Sequence, residues 1–169
     1  MKSLEPPELF YVSAVYGWLG LGNTVEARAE LTHIGADYRN HADVLEARWE
    51  ICVVEQSWIE GLQIAREILL YAPDRASGWL HQAYALRRIP EGSVRKAWTA
   101  LLPAFDKFPK ESIIPYNLSC YACQLEMLDA ARVWLKRAAI LGGKEKTRQR
   151  ALQDPDLRAL WPEIKQLCG

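Results

Sequence analysis

The sequence predicts an all-α protein, an α-solenoid of about four helical hairpins followed by a C-terminal capping helix. Two observations lead to this prediction. Small residues recur at Ala27, Gly61, Ala97 and Ala131, which are 34, 36 and 34 residues apart. Around each of them, apolar residues return at positions i, i+3, i+4 and i+7, the spacing of one face of an α-helix. A sustained period of roughly 20 to 50 residues is typical of stacked helical repeats, in which neighbouring units bury each other's apolar faces.

The helices of the four repeats can be placed from these landmarks. The repeats are predicted at 8–41, 42–74, 75–110 and 111–143, together one domain spanning 1–169. Their paired helices are expected at 8–21 and 24–36, 42–55 and 58–71, 75–88 and 92–107, and 113–125 and 128–141. Pro73 and Pro109 close the second and third repeats. Pro103 lies inside the predicted helix 92–107 and should kink it, because proline lacks the N–H that a helix interior needs.

The period stops after Gly143, and residues 154–168 predict the capping helix. Asp154 is suited to the N-cap and Pro155 to the first helical position. One apolar stripe follows, formed by Leu157, Leu160, Trp161, Ile164 and Leu167. The helix is expected to cover the outer face of the fourth repeat, which carries Val133, Leu135 and Ile140.

These landmarks resemble the tetratricopeptide repeat, whose pattern is W-x2-L-G-x2-Y, then A-x3-F, then P. The third repeat matches with Trp79, Gln82, Ala83, Leu86, Ala97, Leu101 and Pro109, and the fourth with Leu118, Ser119, Ala122, Ala131 and Leu135. The second repeat departs from the pattern, because Trp49 stands where a small residue is usual and Gly61 replaces the alanine. The resemblance covers roughly residues 8–143. It implies a protein-interaction module, adaptor or scaffold, without catalysis or cofactor, that binds a protein or peptide segment in the concave groove of a superhelix.

The resemblance also implies which residues line that groove, because the first helices of the pairs face it. Mapped onto this chain, the groove residues are Tyr16, Glu46, Glu50, Tyr84, Arg87, Arg88, Tyr116, Cys120, Cys123 and Gln124. They include aromatic anchors, acidic residues and a positive patch. The expected ligand is therefore an extended or helical peptide of mixed charge.

Composition argues against several other classes of protein. Lys and Arg together number 21, as do Asp and Glu, so the formal net charge is zero. A nucleic-acid partner is not expected, because binding the phosphate backbone needs an excess of positive charge. No apolar stretch approaches the roughly 20 residues of a membrane span. The first residues do not read as a signal peptide, so we expect a cytoplasmic protein with free thiols and no membrane contact.

Cys120 and Cys123 form a C-x-x-C pair that permits three interpretations. The favoured one is two small, soft residues on a helix face, expected on the groove and outside the core. Reactive pairs usually lie at a helix N-terminus, where the thiol pKa is lowered, whereas these lie in mid-helix. A thiol redox enzyme using this pair remains the alternative function. A metal site completed by His81 is a further one, although zinc needs four ligands and no second C-x-x-C occurs.

Two other features receive a structural interpretation. Glu46 and Glu50 share one helix face and are expected to be solvated rather than catalytic, since no other catalytic residue type is placed opposite them. The first helix is apolar nearly all round, and a terminal repeat normally presents a polar outer face. The sequence therefore also allows a self-assembling structural module, with a possible homodimer through the N-terminal helix.

Overall fold

The computed structural model describes residues 3–168, which form α-helices and 3-10 helices, with no β-strand in that range. The chain divides into two compact units, Met1–Ile89 and Pro90–Gly169. This boundary falls inside the predicted third repeat, 75–110, so that repeat contributes a helix to each unit. The prediction of a single domain over 1–169 stays a prediction. In the described residues, no helix is both long enough and apolar enough to cross a bilayer.

The first unit contains the first two predicted hairpins and the first helix of the third repeat. Within residues 3–89 its α-helices are α1 Glu8–Gly20, α2 Thr24–Thr32, α3 Ala42–Glu55, α4 Trp58–Tyr71 and α5 Ser77–Leu86. Two clusters of buried side chains hold them together. One joins α1, α2 and α3 around Val15, Ala27 and Ile51. The other joins α3, α4 and α5 around Leu45, Trp49 and Ile68.

The turns of three hairpins share one backbone feature. Gly22, Gln56 and Glu126 have φ values of 73°, 57° and 60°, and each lies two residues before the second helix of its hairpin. Left-handed backbone of this kind ends an α-helix and reverses the chain. Glycine adopts it without strain, whereas Gln56 and Glu126 adopt it at some cost.

In the second repeat, a large residue at position 49 is matched by a small one at position 61. The Trp49 side chain is only 2% exposed, and its ring lies against Gly61. A Cβ added at Gly61 would lie 3.0 Å from Cζ3 of Trp49. The large residue on α3 therefore occupies the space left by the missing side chain on α4.

The second unit contains more helical segments than the sequence predicted. Within residues 90–168 its α-helices are α6 Val94–Leu101, α7 Ala104–Lys107, α8 Ile113–Gln124, α9 Leu128–Gly142, α10 Lys144–Gln153 and α11 Ile164–Leu167. The predicted disruption at Pro103 is confirmed, because Pro103 separates α6 from α7. At the contact of α8 and α9, the buried Ser119 hydroxyl donates a 2.8 Å hydrogen bond to the carbonyl of Ala131. The small residues of the repeat thus bring the two helices close together.

The C-terminal segment differs from its prediction in form and in position. Asp154 is the N-cap as expected, since its side chain accepts a hydrogen bond from the Asp156 amide. The helix that follows is a 3-10 helix, Pro155–Glu163, followed by the short α11. Pro162 lacks the N–H that an α-helix would use there. The segment packs on α8, with fewer contacts to α9.

The prediction that this segment covers the outer face of the fourth repeat is therefore wrong for two of three residues. Val133 is 51% exposed and Ile140 is 74% exposed, while Leu135 is buried. Leu135 lies on the opposite side of α9 from these two and faces the core. The helix 144–153 was not predicted at all.

The predicted helix 24–36 is also shorter than expected. α2 ends at Thr32, and a 3-10 turn, Ala36–Tyr38, follows. Gly35 between them has an extended backbone, with φ −57° and ψ 148°. An α-helix cannot pass through that conformation, so Ile34 continues the apolar pattern without being helical.

Candidate functional site

The first part of the candidate groove is an open cavity between α1 and α3 in the first unit. Its volume is about 380 Å³, and its lining includes Leu9, Val12, Tyr16, Asp43 and Glu46. Burial, followed by the nearby Glu50, Glu46 and Asp43 carboxylates, raises the pKa of Tyr16. Its hydroxyl is therefore neutral at physiological pH and available for hydrogen bonding. The cavity combines an apolar wall with an acidic edge.

The Glu46 carboxylate connects α3 to α5 at this edge. It accepts a hydrogen bond from the Ser77 hydroxyl and another from Nε2 of His81 at 2.7 Å. Burial by itself raises the pKa of Glu46, but the hydrogen bonds from His81 and Ser77 outweigh it and lower the pKa. The His81 ring in turn stacks on Trp49, with centroids 4.2 Å apart. The expectation of a simply solvated Glu46 is therefore wrong, because the side chain is partly buried and hydrogen-bonded.

The Glu50 side chain is half-buried on the same face of α3. Unlike Glu46, it has no ion pair within the described residues 3–168. Asp43, one turn earlier than Glu46, forms a 2.7 Å ion pair with Arg75. Glu50 is thus the acidic group on this face that remains available to a ligand.

Tyr84 and Arg88 pack mainly within the protein. The Tyr84 ring makes edge-to-face contacts with Trp49 and Trp58, at centroid distances of 6.3 and 5.6 Å. The Arg88 guanidinium lies 3.4 Å from the Tyr84 ring centroid. Arg87 directly follows α5 as its C-cap. The structure therefore makes Tyr84 part of an aromatic cluster, and a peptide-binding role for it stays a prediction.

The groove residues of the second unit contact the C-terminal segment of the chain. The Tyr116 hydroxyl donates a 2.9 Å hydrogen bond to Asp154. The Cys120 thiol donates to the same carboxylate oxygen at 3.6 Å. Gln124 donates to Asp156. All four predicted residues of α8 thus lie on the face that packs against 154–168, so a peptide could reach that face only if the segment moved.

The two cysteines are buried, so the expectation that they lie outside the core is wrong. Cys120 and Cys123 are both covered by the C-terminal segment. Burial, followed by the Asp154 and Asp156 charges, raises the pKa of Cys120. Burial also raises the pKa of Cys123. Protonated, buried thiols are poor nucleophiles, and this environment does not favour the thiol redox enzyme.

A possible metal-ligand group at this place is explained by hydrogen bonding. Atoms of Cys120, Asp154 and Asp156 lie within 4.8 Å of one another, and His81 is not among them. Oδ2 of Asp154 already accepts from Tyr116 and Cys120, and its Oδ1 caps the Asp156 amide. These side chains lie close together because their hydrogen bonds attach the C-terminal segment to α8.

Sequence reasoning missed the two residues that organise these faces, His81 and Asp154. Asp154 was assigned only as an N-cap, and His81 only as a possible metal ligand. The signal for Asp154 was present in the polar groups of Tyr116, Cys120 and Gln124, which share one face of α8. Its partner could not be read from the sequence, because the two segments are more than 30 residues apart.

Comparison with solved structures supports the fold. The chain is similar to MamA 41-end from Desulfovibrio magneticus RS-1, with a TM-score of 0.69 at 15% identity, over 98% of this chain and 95% of that one. It is also similar to the structure described as MamA RS-1 ArsTM double mutant, with a TM-score of 0.68 at 14% identity, over 98% and 96%. No protein-family model matches the chain, and neither does any curated protein. The predicted fold class, an all-α solenoid of tetratricopeptide-like hairpins, is confirmed; likeness at such identities concerns the fold alone.

Proposed function

We propose that this chain is a non-catalytic protein-interaction module that binds a peptide or protein segment at the α1–α3 groove. The observation that supports this most is the open cavity of about 380 Å³ beside an acidic edge. It lies on a fold whose helical hairpins present extended surfaces to partners. An apolar side chain of the ligand would enter the cavity against Leu9, Val12 and Tyr16.

Charge in the groove indicates what accompanies that apolar side chain. The Glu50 carboxylate lies close enough to Tyr16 to raise the pKa of the Tyr16 hydroxyl. Glu50 itself has no ion pair within the described residues. A lysine or arginine of the ligand would form an ion pair with this carboxylate. The proposed ligand is therefore an apolar residue next to a basic one, a narrower class than the mixed-charge peptide predicted from the sequence.

The test begins with affinity capture from the source organism, using the whole chain as bait. The affinity of each captured partner is then measured by calorimetry for the unaltered chain, Tyr16→Ala and Glu50→Lys. We expect at least tenfold weaker binding for both variants. The matched control is Asp74→Lys, which makes the same charge change at an exposed residue outside the groove. If Tyr16→Ala and Glu50→Lys leave the affinity of every captured partner unchanged, the groove is not the binding site. If no captured protein binds the chain saturably, the proposed interaction function is excluded.

A further inference from the structure

The first unit has a second cavity, formed by residues other than those of the α1–α3 groove. It is a cleft of about 680 Å³ between α2 and α4, with α3 as its floor. The cleft exists because the two helices differ in length. α2 has 9 residues and ends at Thr32, whereas α4 has 14 and continues to Tyr71. Where α2 lacks its last turns, α3 is left partly uncovered.

The walls of the cleft are apolar at the bottom and along one rim. Ile34 and Val44 are buried at the bottom, and Leu31 is partly buried above them. On the α4 rim, Leu70 is 69% exposed and Tyr71 is also exposed. Exposed apolar side chains beside an apolar cavity are typical of an interaction site. This surface shares no lining residue with the α1–α3 groove.

The cationic side chains of the cleft differ in whether they are already paired. Arg28 is held by Glu55 at 2.5 Å and by Glu60 at 2.8 Å. Arg48 is held by Glu67 at 2.7 Å. Arg39 lines the same cleft, is exposed, and has no carboxylate partner within residues 3–168. One guanidinium is thus free to pair with a carboxylate from outside, which it can do through two parallel hydrogen bonds.

We propose that this cleft binds an acidic, apolar segment of a partner protein. A leucine, isoleucine or phenylalanine of the segment lies against Leu31, Ile34 and Val44. A neighbouring aspartate or glutamate pairs with Arg39. A peptide fits better than a small molecule, because small-molecule sites bury most of the ligand surface, whereas this cleft has an exposed rim along α4. The charge preference is opposite to that of the acidic α1–α3 groove, so the two surfaces select different segments.

The experiment selects ligands from a phage-displayed library of random dodecapeptides on the whole chain. Phage that also bind the Arg39→Glu chain are removed by counter-selection. We expect the remaining peptides to place Asp or Glu within two positions of Leu, Ile or Phe. Their affinities are then measured by fluorescence anisotropy, and their binding place is mapped by chemical-shift changes at the Leu31 and Val44 amides.

Variants separate this cleft from the rest of the surface. Arg39→Glu and Leu70→Asp should each weaken the selected peptides at least tenfold. Two matched controls should leave the affinity within twofold: Arg95→Glu, an exposed arginine of the second unit, and Leu21→Asp, a side chain 77% exposed outside the cleft. Tyr16→Ala should also have no effect, which distinguishes this site from the α1–α3 groove.

Several results would overturn the proposal. One is that no peptide remains after the counter-selection, or that the remaining peptides bind the Leu70→Asp chain as tightly as the unaltered one. Another is that decanoate alone shifts the Leu31 and Val44 amides, which would make the occupant a small amphipathic anion. A fall in particle mass on Leu70→Asp would instead identify a second copy of the chain as the occupant.

Discussion

Replacing Gly61 by alanine should destabilise this protein, although the same change stabilises most helices. Gly61 lies inside α4, where alanine would ordinarily be preferred. Its Cβ, however, would meet Trp49 Cζ3 at 3.0 Å, Trp49 Cε3 at 3.4 Å and the Cβ of Cys52 at 3.6 Å. The Trp49 ring cannot easily retreat, because it is stacked on His81 and lies in a T-shaped contact with Tyr84.

Two opposing terms decide the size of the effect. Alanine in place of glycine in a helix interior contributes about 1 kcal/mol of stability. Forcing an extra carbon into a packed core costs about 1–3 kcal/mol. With the indole fixed on both sides, we expect the second term to prevail and the free energy of unfolding to fall by about 1 kcal/mol. For a chain of this length, that corresponds to a midpoint lower by about 3 °C.

The assay is thermal unfolding followed by circular dichroism at 222 nm, a wavelength dominated by helix. The control is Gly17→Ala in α1, where an added Cβ would have no atom within 4 Å, so its midpoint should rise. In a Trp49→Phe background, which provides room, Gly61→Ala should lose most of its penalty. If Gly61→Ala raises the midpoint as Gly17→Ala does, the proposed exchange of size between α3 and α4 is refuted.

Three further predictions concern the N-terminal helix, the C-terminal segment and the acidic edge. Phe10 is 64% exposed on α1, so we expect light scattering to show a dimer that forms as the concentration rises. Phe10→Glu should reduce it to a 19.3 kDa particle, and a monomer of the unaltered chain at every concentration would exclude the dimer. Deleting 154–169 should uncover the two cysteines of α8, and a thiol reagent should then label them at least tenfold faster, whereas unchanged labelling would contradict the packing described. The folded-state pKa of Glu46 is lowered, so its contribution to stability is present above the ordinary carboxyl pKa and is lost as the pH falls through the folded-state pKa. In Glu46→Gln, the free energy of unfolding, measured with urea between pH 7 and pH 3, should therefore fall less steeply towards low pH than in the unaltered chain.

Local sequence features predicted the helices well where the signal itself is local. The paired helices α3 and α4 match the predicted 42–55 and 58–71, and α1, α8 and α9 match within one or two residues. The break at Pro103 and the cap at Asp154 followed from the chemistry of single residues. The end of α2 was misplaced because Ile34 fits the apolar period, whereas α2 ends at Thr32 and the extended backbone of Gly35 prevents its continuation.

The candidate site was predictable only in part. The sequence placed Tyr16 and Glu46 on neighbouring helices, and the structure brings them to one cavity. It also placed Tyr116, Cys120 and Gln124 on one face of α8, but it could not show what covers that face. The covering segment is joined through Asp154 and Asp156, and hydrogen bonds between distant segments leave no periodic signal.

The sequence by itself determined the helical repeat, because a period of 34 to 36 residues and the spacing of apolar side chains are properties of the chain order. Only the tertiary structure decided which faces of those helices are open. The short α2 opens the cleft beside α4, and the returning C-terminal segment closes the inner face of α8. The physical reason is that exposure depends on every element packed against a surface, so it is fixed only when distant parts of the chain have been placed.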